Sequence, residues 1–182
     1  MLAIDLHDRV SFVTGAARGI GRACADALAQ AGSHLALVDL DLEQASATAR
    51  EIVAAHGVRA RPYACDVADP QAVKAAVDAA AAAFGGLDHV VNNAGVQFVS
   101  PLRDFPVEKY VQVRAIDLDG VFYVTHAAWP HLLARQRGRI VNVASVQGLI
   151  GSPFKAAYVA SKHGVVGLTK AAAVEGDEHG IT

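Results

Sequence analysis

The chain has 182 residues, 53% of them hydrophobic, and a formal net charge of −2. That length supports one domain with a real core, and that apolar content excludes a disordered chain. With no basic excess and no run of like charges a nucleic-acid partner is not expected, which leaves a small-molecule enzyme or a protein-binding module.

In chain order, residues 1–9 carry Asp5, Asp8 and Arg9 without a long apolar stretch, so no targeting signal is read there. Val10-Ser11-Phe12-Val13 is a short apolar run that ends at a glycine loop. Residues 19–31 have helical spacing, with Ile20, Cys24, Ala27 and Leu28 apolar, and Gly32 stops that helix. Leu35-Ala36-Leu37-Val38 predicts a second buried strand, and 42–55 a second helix. Residues 58–65 predict a third strand, weakened by Pro62. Asp69 as N-cap and Pro70 in the first turn open a helix over 70–84, and Gly85-Gly86 end it. Its Ala-rich run 75–83 is interrupted by Asp78 and is too short to span a bilayer, so a cytoplasmic protein without a membrane partner is expected.

Leu87 to Val91 predicts a fourth strand, 107–115 a short helix and 117–136 a longer one. Gly138-Arg139 introduces a fifth strand, Ile140-Val141-Asn142-Val143, and 156–175 predicts a last helix. Strands alternating with helices of this length make βαβ units. The fold class expected is therefore α/β: a Rossmann-type doubly wound parallel sheet with helices on both faces, in a single domain over 1–182. Gly180-Ile181-Thr182 reads as the start of another strand, since such sheets usually continue. Cys24 and Cys65 are expected to be two buried thiols rather than a disulfide. The eight histidines are scattered, and no metal site is expected.

The loop Thr14-Gly15-Ala16-Ala17-Arg18-Gly19-Ile20-Gly21 lies between a strand and a helix. In that place Gly15 permits a tight turn, Gly19 lets a pyrophosphate reach the backbone, and Gly21 lets the helix pack closely on the strand. The helix N-terminus adds free N–H groups and a positive dipole end. Asp39 ends the second strand about 20 residues on, where a carboxylate accepts hydrogen bonds from the adenosine ribose and repels a 2′-phosphate. NAD is therefore expected over NADP, although the Arg18 guanidinium would suit a 2′-phosphate. Asp39 as a plain loop cap is the competing reading.

Tyr158 and Lys162 stand four residues apart on a predicted helix and share a face. An ammonium beside a phenol favours the phenolate, which lets the pair pass a proton to or from a substrate oxygen. Ser145 follows the fifth strand, where strand C-termini line the ligand crevice, and its hydroxyl would hold the same oxygen.

These motifs together resemble the classical short-chain dehydrogenase/reductase family. The matching stretches are the glycine loop, Asp66-Val67, Asn92-Asn93-Ala94-Gly95, Ser145, and Tyr158-Val159-Ala160-Ser161-Lys162. The resemblance implies that Asp66 and Val67 contact the adenine and that Asn93, Ala94 and Gly95 line the cofactor. Arg18 and Ile20 of the loop join them. It further implies that Ser145 orients the substrate, that Tyr158 is the acid/base, and that Lys162 also holds the nicotinamide ribose. Within the family the chain is most similar to D-3-hydroxybutyrate dehydrogenases, through Ala94 to Gln97, Phe105 to Lys109 and Lys155 to Gly167. Those enzymes hold the substrate carboxylate with a glutamine, a histidine and a lysine. Gln97 and Lys155 match, and Gln147 stands where the histidine is expected. A solvated surface lysine competes as a reading of Lys155.

Two departures bear on activity. The family's catalytic asparagine falls at Asp117 in Ile116-Asp117-Leu118-Asp119-Gly120. An ionised carboxylate accepts hydrogen bonds only, and its charge disfavours a nearby phenolate. A weakened proton relay is expected, restored by Asp117→Asn. The family's C-terminal part, with most of the sixth strand, the Pro-Gly segment, the substrate lid and the last strand, is also absent. The fifth strand is then expected as an exposed edge and turnover as impaired. The leading expectation is an NAD-dependent oxidoreductase interconverting a secondary alcohol and a ketone, of a short 3-hydroxy acid such as 3-hydroxybutyrate. A 3-oxoacyl-thioester reductase, another alcohol dehydrogenase of the family, and a truncated non-catalytic NAD-binding protein stay open. The resemblance also implies a homotetramer packed through the helices at 117–136 and 156–175.

Overall fold

The structure, a computed structural model, describes residues 4–182, so the first three residues of the segment 1–9 read above lie outside the described residues. Five strands are present among the described residues: β1 Val10–Thr14, β2 His34–Asp39, β3 Ala60–Ala64, β4 His89–Asn92 and β5 Arg139–Asn142. They form one parallel sheet in the order β3-β2-β1-β4-β5. The helices are α1 Gly19–Gln30, α2 Leu42–His56, α3 Pro70–Phe84, α4 Val107–Arg114, α5 Gly120–Arg135 and α6 Ala156–Gly176. The order reverses direction at β1, so the crevice of a doubly wound sheet opens between the ends of β1 and β4.

Alternation along the strands sorts the core into two layers. Val10 and Phe12 of β1 point with Ala36, Val38 and Val90 toward α3 and α5, where Val77, Ala80, Val124 and Leu132 meet them. Val13 points the other way with Leu35, Leu37 and Val91, toward Ala25 and Ala29 of α1 and Ala49 and Ile52 of α2. Short side chains on the helices let them sit close on the branched side chains of the strands. The fold is therefore the Rossmann-type α/β sandwich that the alternation predicts.

Local chemistry fixes the ends of the elements. Asp69 Oδ1 accepts the N–H groups of Gln71 and Ala72 at 2.8 and 3.3 Å, capping α3 as expected. Gly85 closes that helix in the left-handed region at φ 82°. Pro62 is tolerated because β3 is an edge strand, paired among the described residues only with β2. Cys65 is buried as expected, but Cys24 is only half-buried on α1, because its position borders the solvent side of the helix; both are free thiols.

The reading of two helices at 107–115 and 117–136 needs correcting. The backbone stays helical from α4 into α5, through a π turn over Ala115–Asp119 in which the Gly120 N–H donates to the Ala115 carbonyl. One extra residue is carried in this turn, which shifts the apolar periodicity between the two segments. At the far edge, residues 180–182 do begin a further pairing. The Gly138 N–H donates to the Gly180 carbonyl at 3.1 Å, and the Ile140 N–H to the Thr182 carbonyl at 2.8 Å. Beyond that short bridge no strand among the described residues covers the outer side of β5, where Val141 is exposed.

A polar ladder crosses from α5 to α6 through this side of the sheet. The Asn92 amide donates to Thr125 Oγ1 at 3.2 Å and to Asn142 Oδ1 at 2.8 Å, and the Asn142 amide donates to Thr169 Oγ1 at 2.8 Å. At the opposite end of the strands Asp88, 1% exposed, accepts the Val10 N–H at 2.9 Å and is ringed by Arg9, Arg135 and Arg137 at 3.2 to 3.9 Å.

Candidate functional site

A cleft of about 450 Å³ lies at the C-terminal ends of β1, β2, β3 and β4. Of the expected cofactor residues, Gly15, Arg18, Ile20, Asp39, Asp66, Val67, Asn93, Ala94 and Gly95 line it, and Gly19, Gly21, Tyr158 and Lys162 do not. Val38, Leu40, Cys65, Val96 and Ile116 complete the wall, and none of them is read as a site residue from the sequence. They could be found only as neighbours of the strand ends. Burial and the carboxylates of Asp66 and Asp69 push the Cys65 thiol up to about 11, so it stays protonated at neutral pH.

The glycine loop is built for a close backbone approach. Gly15 and Gly19 are both left-handed, at φ 63° and 58°. A Cβ added at Gly15 would come within 2.8 Å of Asn93 Nδ2, and one added at Gly21 would collide with the Gly15 carbonyl oxygen. Gly21 thus seats the helix on the loop, as expected. A Cβ at Gly19 would meet nothing within 4 Å and would project into open space. The first turn of α1 holds no acidic residue, and the side chain of its N-cap Arg18 makes no capping bond. Its N–H groups are available to an anion, whereas α2 is capped by Asp41 and α3 by Asp69. These features fit the diphosphate of a dinucleotide.

Asp39 serves two readings at once. Its Oδ2 accepts the Ala17 N–H at 2.9 Å and its Oδ1 the Asp41 N–H at 3.1 Å, so it does cap the loop. Each oxygen keeps a lone pair, and the side chain still lines the cleft. Asn93 is a clamp within the wall. Its amide donates to the carbonyls of Thr14 and Gly15 at 3.0 and 3.2 Å, while Thr14 Oγ1 accepts the N–H groups of Asn93 and Ala94. Asp66 Oδ1 accepts the Ala68 N–H at 2.9 Å, which fixes the turn after β3.

The expected proton-transfer residues gather past the Gly95–Val96 wall. Lys162 and Tyr158 share one face of α6, with the Lys162 ammonium 5.5 Å from the Tyr158 ring centroid. Lys162 Nζ donates to the Val143 carbonyl, at the end of β5, at 2.9 Å. Ser145 stands just beyond, and its hydroxyl donates to Gln147 Oε1 at 3.1 Å. Gln147 is therefore already engaged with Ser145, and its Nε2 remains to donate. Lys155 precedes α6 and is half-buried, while Gln97 is exposed. Among the described hydrogen bonds none joins Gln97 or Lys155 to Ser145, Tyr158 or each other. The structure thus assembles Asp117 and Tyr158 around Lys162 and pairs Ser145 with Gln147, while the side chains of Gln97 and Lys155 are tied to neither group by a hydrogen bond.

Asp117 occupies the middle of the π turn and is fully buried. Its Oδ1 accepts the Val96 N–H at 2.7 Å, and its Oδ2 lies 3.6 Å from Lys162 Nζ without a hydrogen-bond partner. Its closest charged neighbour is therefore the lysine, a pairing that the sequence does not reveal. Burial raises the Asp117 carboxyl above the usual carboxylate range, opposed by the Val96 N–H and Lys162. Burial likewise lowers Lys162, opposed by Asp117. No helix among the described residues is long and apolar enough to cross a membrane.

A family model described as short chain dehydrogenase matches residues 9–182. The chain is 42% identical over 155 residues to a D-threitol dehydrogenase of Mycolicibacterium smegmatis, covering 85% of this chain and 59% of that protein. It is 38% identical over 153 residues to a D-beta-hydroxybutyrate dehydrogenase of Rhizobium meliloti, covering 84% of this chain and 59% of that protein. The crystal structure of an NAD+-bound xylitol dehydrogenase superposes with a TM-score of 0.94 at 36% identity, over 97% of this chain and 68% of that one. The chain belongs to the short chain dehydrogenase family and spans 59% of the length of each of the two curated relatives.

Proposed function

We propose that this member of the short chain dehydrogenase family binds NAD in the cleft and serves an oxidoreductase that interconverts a secondary alcohol and a ketone. The observation that carries the reading is the face of α6 that sets the Lys162 ammonium 5.5 Å from the Tyr158 ring beside the glycine-loop cleft. Asp39 at the end of β2 supports NAD over NADP, since its carboxylate would repel a 2′-phosphate. NAD supplies the two-electron redox chemistry when bound. Tyr158 passes the proton between its phenolic oxygen and the substrate oxygen. Ser145 holds that oxygen once its hydroxyl hydrogen turns away from Gln147 Oε1. Lys162, anchored on the Val143 carbonyl, presents its ammonium to the phenol and to a ribose of the cofactor.

A short 3-hydroxy acid is the proposed substrate class, supported by the donors Gln97, Gln147 and Lys155. The relative named for hydroxybutyrate accords with that class, and the one named for threitol defines the competing polyol reading. A second reading, NAD binding without turnover, is favoured by the buried Asp117 carboxylate beside Lys162. Self-association through α5 and α6, where Phe122 and Val174 are exposed, belongs to the same proposal.

The test is NAD-dependent oxidation of 3-hydroxybutyrate, threitol, xylitol and cyclohexanol, alongside NAD binding. Tyr158→Phe is expected to lower turnover about 10²–10⁴-fold while NAD affinity holds. Turnover that survives Tyr158→Phe would remove the assignment. Tight NAD binding with no turnover on any alcohol would leave the second reading.

A further inference from the structure

We infer that Asp117 sets the preference of the site for the oxidised over the reduced form of NAD, by making the buried Lys162 pair electrically neutral. The inference rests on the proposed NAD site and deepens it, because the two redox forms differ in charge. The oxidised nicotinamide ring carries one positive charge and the reduced ring none. Any net charge held near the ring therefore changes one affinity and spares the other.

The position of Asp117 supports this effect. Its carboxylate stands directly behind the wall of the cleft. Oδ1 takes the Val96 N–H at 2.7 Å, and a Cβ built on Gly95 would lie 3.3 Å from Oδ2. Gly95 and Val96 themselves line the cleft. Lys162, 4% exposed, faces Asp117 at 3.6 Å from α6. The other charges on the adjoining turn cancel each other, since Arg114 pairs with Asp119 at 3.3 Å. Burial moves the Asp117 and Lys162 protonation equilibria toward their neutral forms. Whichever partner holds the proton, the pair sums to zero. With an asparagine at 117 the same lysine, when protonated, would present an uncompensated positive charge, buried and little screened by salt. Oxidised nicotinamide would then bind less well, and reduced nicotinamide would be indifferent. Asp117 acts through Lys162 and is a positioning residue, not a catalytic one.

Dissociation constants for NAD+, NADH and ADP-ribose, measured across pH 5 to 8 so that the acid end favours a charged lysine, test the inference without any turnover. In Asp117→Asn the ratio Kd(NAD+)/Kd(NADH) is expected to rise at least about fivefold, the least that one unit charge held beside the cofactor ribose would contribute. For this two-electron couple a fivefold ratio is about 21 mV in the potential of the bound cofactor. ADP-ribose, which lacks the nicotinamide, is expected to bind within about twofold of the unmodified chain. Asp117→Asn combined with Lys162→Met removes both charges and should return the ratio to its starting value. In the unmodified chain NAD+ and NADH should bind within about threefold of each other. An unchanged ratio in Asp117→Asn overturns the inference, and so does an unmodified chain that binds NADH tenfold or more tightly than NAD+. Absence of alcohol oxidation with the expected ratios intact would overturn the proposed turnover and leave this inference standing.

Discussion

A methyl group added at Gly19 and one added at Gly21 meet opposite surroundings on the same loop. At Gly21 the new carbon falls on the Gly15 carbonyl oxygen and 2.5 Å from Asn93 Nδ2, so backbone must move. Gly21→Ala is expected to cost about 1–3 kcal/mol of stability, the range for overpacking a rigid site. At Gly19 space is free, but φ is 58°, and an L side chain there costs about 1–2 kcal/mol. The larger effect of Gly19→Ala is on binding, since the methyl would stand where the diphosphate approaches. Urea unfolding with NAD titration separates the two. Gly19→Ala should remain folded and lose at least about tenfold in NAD affinity, about 1.4 kcal/mol. Native affinity in that variant would show that the loop is not the cradle.

Among the elements β5 is the most exposed to chance pairing. Among the described residues its outer side meets only residues 180–182, and Val141 is 55% exposed. A flat apolar edge of this kind templates association with a second chain. Val141→Lys is expected to slow aggregation on heating, measured by light scattering, and to change stability by less than about 0.5 kcal/mol. Aggregation at the native rate would place the sticky surface elsewhere. The sequence did reveal the elements themselves. Periodicity located every strand and most helix ends, because a buried parallel sheet leaves continuous apolar runs between caps and glycines. It also located the glycine loop, Asp39, and the Tyr158 and Lys162 pair, whose chemistry is local in the chain. It did not show the π turn, because one inserted residue leaves composition unchanged and only displaces the phase. The pairing of Asp117 with Lys162 was invisible for a related reason. The two residues are far apart in the chain, and that turn is what faces them. The engagement of Ser145 by Gln147 and the clamp made by Asn93 are contacts that no motif spacing encodes.

At the scale of the whole molecule, charge is placed at both ends of the strands. The lower end is held by Asp88 beneath Arg9, Arg135 and Arg137, which joins β1, β4 and the end of α5. Asp88→Asn would leave three guanidiniums around a neutral amide. Since those side chains reach water, the loss is expected near the low end of the range for a broken buried pair, about 3 kcal/mol in urea unfolding. NAD affinity of the folded protein should be unchanged, because the cleft lies at the other end of the sheet. A loss below about 1 kcal/mol would mean that the cluster does not depend on the Asp88 charge. The upper end is divided differently. The wall of the cleft comes almost wholly from residues 15–96, and the proton-handling side chains from residues 117–162. Such a division lets a lineage redraw what it oxidises without disturbing what it oxidises with, because mutations in one stretch seldom touch the other. The hydrogen bond from the Val96 N–H to Asp117 crosses that boundary. A substitution there is inherited by both halves at once, which makes position 117 a place where drift in the chemistry and drift in cofactor use cannot be separated.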